Sequence, residues 1–360
     1  MTISVIGIGR IGLGIALNFE NLGHNVIGYD INQKYVNSIN DKSYNSSEPL
    51  YNKYLEHSTN LKATTNIEEA LSSDLIFIMV RTDSYESGEY DCSQIESVYS
   101  RLIKYPQTSK SLILCSNVNP GYCDKLAQKL LPYGYYLNFN PEWVAQGDIM
   151  KNLRNPDLIV IGEANEKEGN KIEKLYKSFT KAPIHRMDRI SAELTKIGLN
   201  CFLTTKISYA NSLGDLAVKM GGNPNLILKA IGGDSRIGTK YFSYGHSYGG
   251  PCFPRDNRAL IYTANQFKEK SLLQKASDEI NEDHLQFMIN NYVKTHDIKD
   301  PIIIEEVTYK PGVNYIEESR QLDFAVGLAK KGFYITIKEN LQVINQIKDI
   351  YGDLFKYTIK

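Results

Sequence analysis

The chain has 360 residues, enough for two or three domains, and 42% of them are hydrophobic against 23% charged, so it can bury a sizeable core. Forty-one Lys plus Arg balance forty-one Asp plus Glu, and this neutrality gives no reason to expect a nucleic-acid or membrane-surface partner, which would call for a basic patch. The five cysteines match no metal-ligand spacing, so no structural metal is expected and reduced thiols in a cytoplasmic setting are the simplest reading.

The N-terminus has no basic region ahead of its apolar run, and Gly interrupts that run early, so it reads as a first strand and not a signal peptide. No stretch of about 18 apolar residues predicts a membrane span. Residues 1–30 then read strand, Gly-rich turn, helix ending at Gly23, strand, which is a βαβ unit. Gly7-Ile8-Gly9-Arg10-Ile11-Gly12 supplies G-x-G-x-x-G between strand and helix, and Asp30 follows at the end of the next strand. Gly7 permits the tight turn, Gly9 close approach of a pyrophosphate, and Gly12 close packing of helix on strand. A carboxylate at Asp30 suits ribose hydroxyls and repels a 2′-phosphate, so NAD is expected over NADP. A Gly-rich turn in some other α/β protein is the plain alternative.

Strand-like runs at 75–80, 111–116 and 158–162 alternate with helical stretches, predicting a mostly parallel sheet covered on both faces. From Ser191 to about Met220 no Pro interrupts a helical pattern about 45 Å long, or else two helices broken near Gly198 or Gly214. A helix of that length commonly links domains and supports an oligomer interface. Residues 232–256 read as an ordered loop, 272–294 as helix, and 302–338 as another small α/β unit.

The loop sequence Tyr248-Gly249-Gly250-Pro251-Cys252-Phe253-Pro254-Arg255-Asp256 sets a thiol among Gly and Pro, where a nucleophile could work if nearby charge favours the thiolate. An inert buried Cys is the bland alternative. Glu193, Lys196 and Asn200 share one helix face at i, i+3 and i+7, where Lys and Asn could hold an oxyanion or simply form a polar face with a local Glu–Lys pair.

Taken together these segments resemble the UDP-glucose/GDP-mannose dehydrogenase family over nearly the whole chain. The cysteine segment resembles G-G-x-C-F-P-K-D. Residues 192–211 resemble the central-helix segment, with Lys196 and Asn200 at its Lys and Asn. Residues 140–147 and 155–162 resemble N-P-E-F-L-x-E-G and N-P-x-R-I-V-I-G, 234–238 resembles D-x-R-I-G, and 309–312 resembles F-K-P-G.

The resemblance implies an α/β fold: an N-terminal Rossmann dinucleotide-binding domain (1–190), a long central helix within a helical dimerisation and catalytic-loop region (191–290), and a smaller C-terminal α/β nucleotide-binding domain (291–360). It implies a homodimer that oxidises a nucleotide sugar at C6 with NAD for polysaccharide precursor synthesis, UDP-glucose being the commonest substrate. The implied catalytic residues are Cys252, Lys196, Asn200, Asp256 and Glu142. Gly7, Gly9, Arg10, Ile11, Gly12, Asp30, Thr82 and Ser116 would serve the cofactor. Gln146, Arg236, Tyr248, Gly249 and Lys310 would serve the substrate, Arg236 reaching a neighbouring subunit's sugar site.

The chain departs from the pattern at four places. Gln146 stands for the second Glu of N-P-E-F-L-x-E-G, Asn117 for the Thr of S-T-V-P, Glu317 for an Arg near an expected diphosphate, and Arg81 for a Pro in the cofactor loop. Gln cannot accept a proton as a base. Three alternatives therefore stand beside the four-electron dehydrogenase: an enzyme for another UDP- or GDP-sugar or one stopping after a single oxidation, a two-electron alcohol or hydroxyacid dehydrogenase, and a non-catalytic NAD- or nucleotide-sugar-binding protein.

Overall fold

The computed structural model describes all 360 residues. It divides into two compact units, Met1–Lys196 and Ile197–Lys360.

The first unit is built on eight strands: β1 (Thr2–Ile6), β2 (Asn25–Tyr29), β3 (Leu61–Thr64), β4 (Leu75–Ile78), β5 (Lys110–Leu114), β6 (Tyr135–Phe139), β7 (Ile159–Gly162) and β8 (Ile184–Met187). Their spatial order is β3-β2-β1-β4-β5-β6-β7-β8, parallel throughout except where β7 meets β6. The first six follow the 3-2-1-4-5-6 order of a dinucleotide-binding sheet. Strands such as β4 are buried at every residue, because helices cover both faces. One apolar cluster (Val5, Leu13, Phe77) and a second (Ile6, Ile78, Leu112) fill those layers.

The central helix runs unbroken from Arg189 to Lys219. Neither Gly198 nor Gly214 breaks it. A Cβ on Gly214 would fall 2.0 Å from the Tyr244 ring, so close packing accounts for that glycine.

In the second unit the helix Phe253–Gln266 begins directly after Cys252, so the ordered loop ends there, and the helix Leu272–Thr295 follows. A second sheet contains β9 (Ile302–Glu305), β10 (Ile335–Glu339) and β11 (Lys356–Ile359) in the order β11-β10-β9, all parallel. Ile304, Ile335 and Ile337 point into a core with Leu322, Val326 and Phe333. The alternate positions carry Glu305, Thr336, Lys338 and Thr358, and Lys338 pairs with Glu305 across strands at 2.9 Å.

Candidate active site

At the cofactor end, β1 runs into the turn at Gly7 and the helix Arg10–Asn21 starts after Gly9. Gly7 has φ +86°, and a Cβ there would lie 2.3 Å from Met79 O; one on Gly12 would lie 1.9 Å from Gly7 O. Only glycine fits at either place. Around Gly9 nothing approaches within 4 Å of a would-be Cβ, so a ligand can meet the backbone there. The residue before this helix, Gly9, has no side chain to cap it, and by helix geometry the first-turn N–H groups at Ile11 and Gly12 face the turn where a ligand anion would sit. Asp30 lies just past β2, half-buried, accepting from Asn32 N at 3.0 Å. These residues fit a dinucleotide diphosphate and a ribose.

Ser116 and Thr82 are buried near the same strand ends. The Ser116 hydroxyl donates to Val80 O at 2.7 Å and accepts from Val80 N at 3.0 Å, so it ties the ends of β4 and β5 together. Arg81 points outward and pairs with Asp83 at 2.5 Å.

Beyond β6, Asn140 is held by Val160 O (2.8 Å) and the Tyr176 hydroxyl (2.5 Å), which fixes where Glu142 emerges. Lys196 Nζ donates to Glu142 O at 2.8 Å and lies 4.6 Å from the centre of the Trp143 ring. As a residue Glu142 is half-buried, but burial of its carboxyl pushes the pKa up to about 7, against an opposing pull from Lys196. The Trp143 indole N–H is buried without a protein acceptor. Gln146, half-buried, lies four residues on in a segment pinned by Glu48, whose carboxylate accepts from Gly147 N at 2.9 and 3.1 Å.

Glu193 does not pair with Lys196. It is fully buried and accepts from Gly121 N (2.6 Å) and Cys123 N (2.8 Å), capping the helix Tyr122–Leu130; burial raises its pKa while these bonds lower it.

In the second unit, Asn200 Nδ2 donates to Asp256 Oδ2 at 2.6 Å, with both side chains buried. Asp256 N donates to Cys252 O at 2.8 Å, closing the first turn of the helix that Cys252 caps. Cys252 is exposed, whereas Cys115, Cys123 and Cys201 are buried with their thiol pKa values pushed up by desolvation. A sulfur at a helix N-terminus meets the positive end of the helix dipole, which favours an anion.

The structure brings Lys196 to Glu142, and Asn200 to Asp256 beside Cys252. Tyr248 is a buried anchor: its hydroxyl donates to Asp278, and Asn281 bonds its backbone N (2.9 Å) and O (3.0 Å). Gly249 allows close approach of Glu318 O, from which a Cβ would be 2.1 Å. Lys310 is half-buried in the loop after β9. Arg236 stands apart, its side chain 85% exposed and paired only locally with Asp234 at 2.7 Å. The sequence reading missed Glu48, the capping role of Glu193, and the Asp278–Asn281 pair. An Asp and an Asn three residues apart on a helix are too common to single out.

Two family models cover most of the chain: the NAD binding domain of the UDP-glucose/GDP-mannose dehydrogenase family over residues 1–180, and its central domain over 190–283. The chain belongs to the UDP-glucose/GDP-mannose dehydrogenase family. It is 30% identical to a UDP-glucose 6-dehydrogenase of Rickettsia bellii over 370 residues, covering 99% of this chain and 85% of the relative. Its fold matches a UDP-glucose dehydrogenase of Pyrobaculum islandicum with a TM-score of 0.90 at 27% identity, covering 99% of this chain and 85% of that one. A UDP-D-ManNAc dehydrogenase of Pyrococcus horikoshii matches with a TM-score of 0.82 at 27% identity, covering 94% and 83%. As a member of this family the chain is an NAD-dependent oxidoreductase acting on the CH–OH group of a nucleotide sugar. No helix is long and apolar enough to cross a membrane.

Proposed function

We propose that this chain oxidises UDP-glucose to UDP-glucuronate in the cytoplasm, with two NAD and covalent adducts on Cys252, supplying a precursor for polysaccharide synthesis. The relatives named for UDP-glucose support the substrate. The observation that carries the chemistry is Cys252: an exposed thiol at a helix N-terminus, one turn before an Asp256 that accepts from Asn200.

NAD, held by Gly7, Gly9, Gly12 and Asp30, supplies the hydride acceptor when bound. The chain's residues do the rest. Cys252 adds to the C6 aldehyde to give a thiohemiacetal, and loss of the second hydride leaves a thioester that water cleaves to the carboxylate. Lys196 and Asn200 stabilise the oxygen anion as it develops. Glu142, with its raised pKa, takes a proton from the attacking water. Gln146 and Asn117 position that water through amides. Lys310 and the loop around it hold the nucleotide. Arg236, exposed and locally paired, is available to a second copy's sugar site, and the working form is a homodimer.

The test is to count NADH per sugar for wild type and Cys252→Ala with UDP-glucose and with other UDP- and GDP-sugars. Two NADH and a uronate from wild type, with the second oxidation lost in Cys252→Ala, support the proposal. One NADH and an aldehyde from wild type would instead mean that the replacements at Gln146 and Asn117 stop the reaction halfway. No NADH with any sugar would leave a binding protein.

A further inference from the structure

The backbone just ahead of Cys252 lies against residues 309–320. Gly250 N donates to Glu318 O at 3.1 Å. A Cβ on Gly249 would fall 2.1 Å from that same oxygen, and one on Gly250 would fall 2.3 Å from the Tyr309 ring. Two side-chain links add to this contact. Arg320 Nε donates to Tyr248 O at 3.3 Å, while its guanidinium pairs with Glu282 (2.5 Å) and Asp323 (3.4 Å). Arg258, on the cysteine helix, pairs with the Glu318 carboxylate at 2.7 Å. Glu318 itself has φ +50°, an uncommon conformation for a residue with a Cβ.

Cys252 is thus gripped from both sides by one short segment. Upstream, Arg320 and Glu318 O hold 248–250; downstream, the Glu318 carboxylate holds Arg258. The Arg320 side chain is only 14% exposed, so its bonds are shielded from solvent screening better than surface pairs. At its other end the same segment carries Lys310.

We propose that Arg320 is a positioning residue for Cys252, and that residues 309–320 transmit nucleotide occupancy to the thiol. This rests on the reading of Lys310 as a nucleotide contact. A nucleotide bound at Lys310 favours one arrangement of the segment to the extent that it binds that arrangement more tightly. Glu318 and Arg320 hand the preference to the turn at Tyr248–Gly250, and so to the sulfur's angle of approach.

The probe is UDP, which lacks the sugar, and the readout is the rate of Cys252 alkylation by iodoacetamide, with peptide mapping to confirm the site. Saturating UDP, its occupancy checked by calorimetry, is expected to change the wild-type rate about fivefold or more, the low end of ordinary coupling between sites. In Arg320→Ala the rates with and without UDP converge, although UDP still binds and the protein still melts cooperatively. Arg320→Gln gives the same convergence and decides the matter if the Ala variant does not fold. A full UDP response in the folded variant overturns the proposal, because a purely structural arginine, or direct shielding of the thiol by UDP, leaves that ratio intact. UDP binding to wild type with no change in rate overturns it as well. Failure of UDP to bind wild type at all removes the nucleotide reading of Lys310, and the coupling falls with it.

Discussion

Asn200 donates one amide hydrogen to Asp256 at 2.6 Å, and this bond joins the central helix to the first turn of the cysteine helix. The second amide hydrogen is then oriented by the first. Asn200→Ala should lower kcat by about 10²–10³, the usual cost of losing one oxyanion donor. Single-turnover NADH formation with wild-type folding stability is the check. Asp256→Asn should lower kcat too, and the double variant should lose less than the two single losses combined, because the groups act as one unit. Full additivity would show that they act separately.

The raised pKa of Glu142 predicts a pH profile. Burial disfavours its charged form, so at about pH 7 half of the molecules hold the proton and cannot use Glu142 as a base. Thioester hydrolysis should rise with pH through that midpoint and level off above it. Glu142→Gln should be slow and without that limb. The linkage has a matching sign in stability. The folded chain keeps a proton that the unfolded chain releases, so folding stability falls as pH rises from about 4.5 to about 7. Melting curves at pH 5 and pH 8 should differ less for Glu142→Gln than for wild type.

Trp143 offers a buried indole N–H with no protein acceptor, beside the lysine of the central helix. A bound substrate or an ordered water can accept from it. Trp143→Phe keeps most of the ring against Lys196 and removes the donor. KM for the nucleotide sugar should rise by roughly fivefold, as for one lost neutral hydrogen bond of about 1 kcal/mol. An unchanged KM would mean that the indole N–H meets only water.

Phe202, Tyr209 and Leu216 lie seven residues apart on the central helix and are 68%, 56% and 52% exposed. Side chains at that spacing make one apolar stripe, the pattern of a helix that meets another helix. Phe202→Glu with Tyr209→Glu should convert the proposed homodimer to monomer in light scattering. If Arg236 reaches a second copy's sugar site, activity should fall in step with the dimer fraction. A wild-type chain that is already monomeric would remove both expectations.

The cofactor turn was legible from sequence because its glycines have steric reasons that any such turn repeats, and the cysteine segment because Gly and Pro crowd around one thiol. The strands β3, β6, β8 and β11 were not picked out. Polar residues interrupt each of them (Lys62, Asn138, His185 with Arg186, and Lys356 with Thr358), so none shows an unbroken apolar run like that of β4. The helix spacing put Glu193, Lys196 and Asn200 on one face but did not show their partners: Lys196 meets Glu142, Asn200 meets Asp256, and Glu193 meets backbone amides in place of the local Glu–Lys pair. Spacing along a helix tells which side chains share a side, not what awaits each of them. Arg320 was invisible for the same reason, since its partners at Tyr248, Glu282 and Asp323 come from three separate stretches.

The buried carboxylate of Glu193 works as a structural tie between the central helix and the helix Tyr122–Leu130. It sits three positions before the ammonium of Lys196 and is bolted to Gly121 and Cys123, just past Asn117 and Asn119. The start of the central helix and the turn ahead of Tyr122 are therefore tied through one side chain. Shortening that side chain to aspartate should strain or break both bonds and lower the melting temperature.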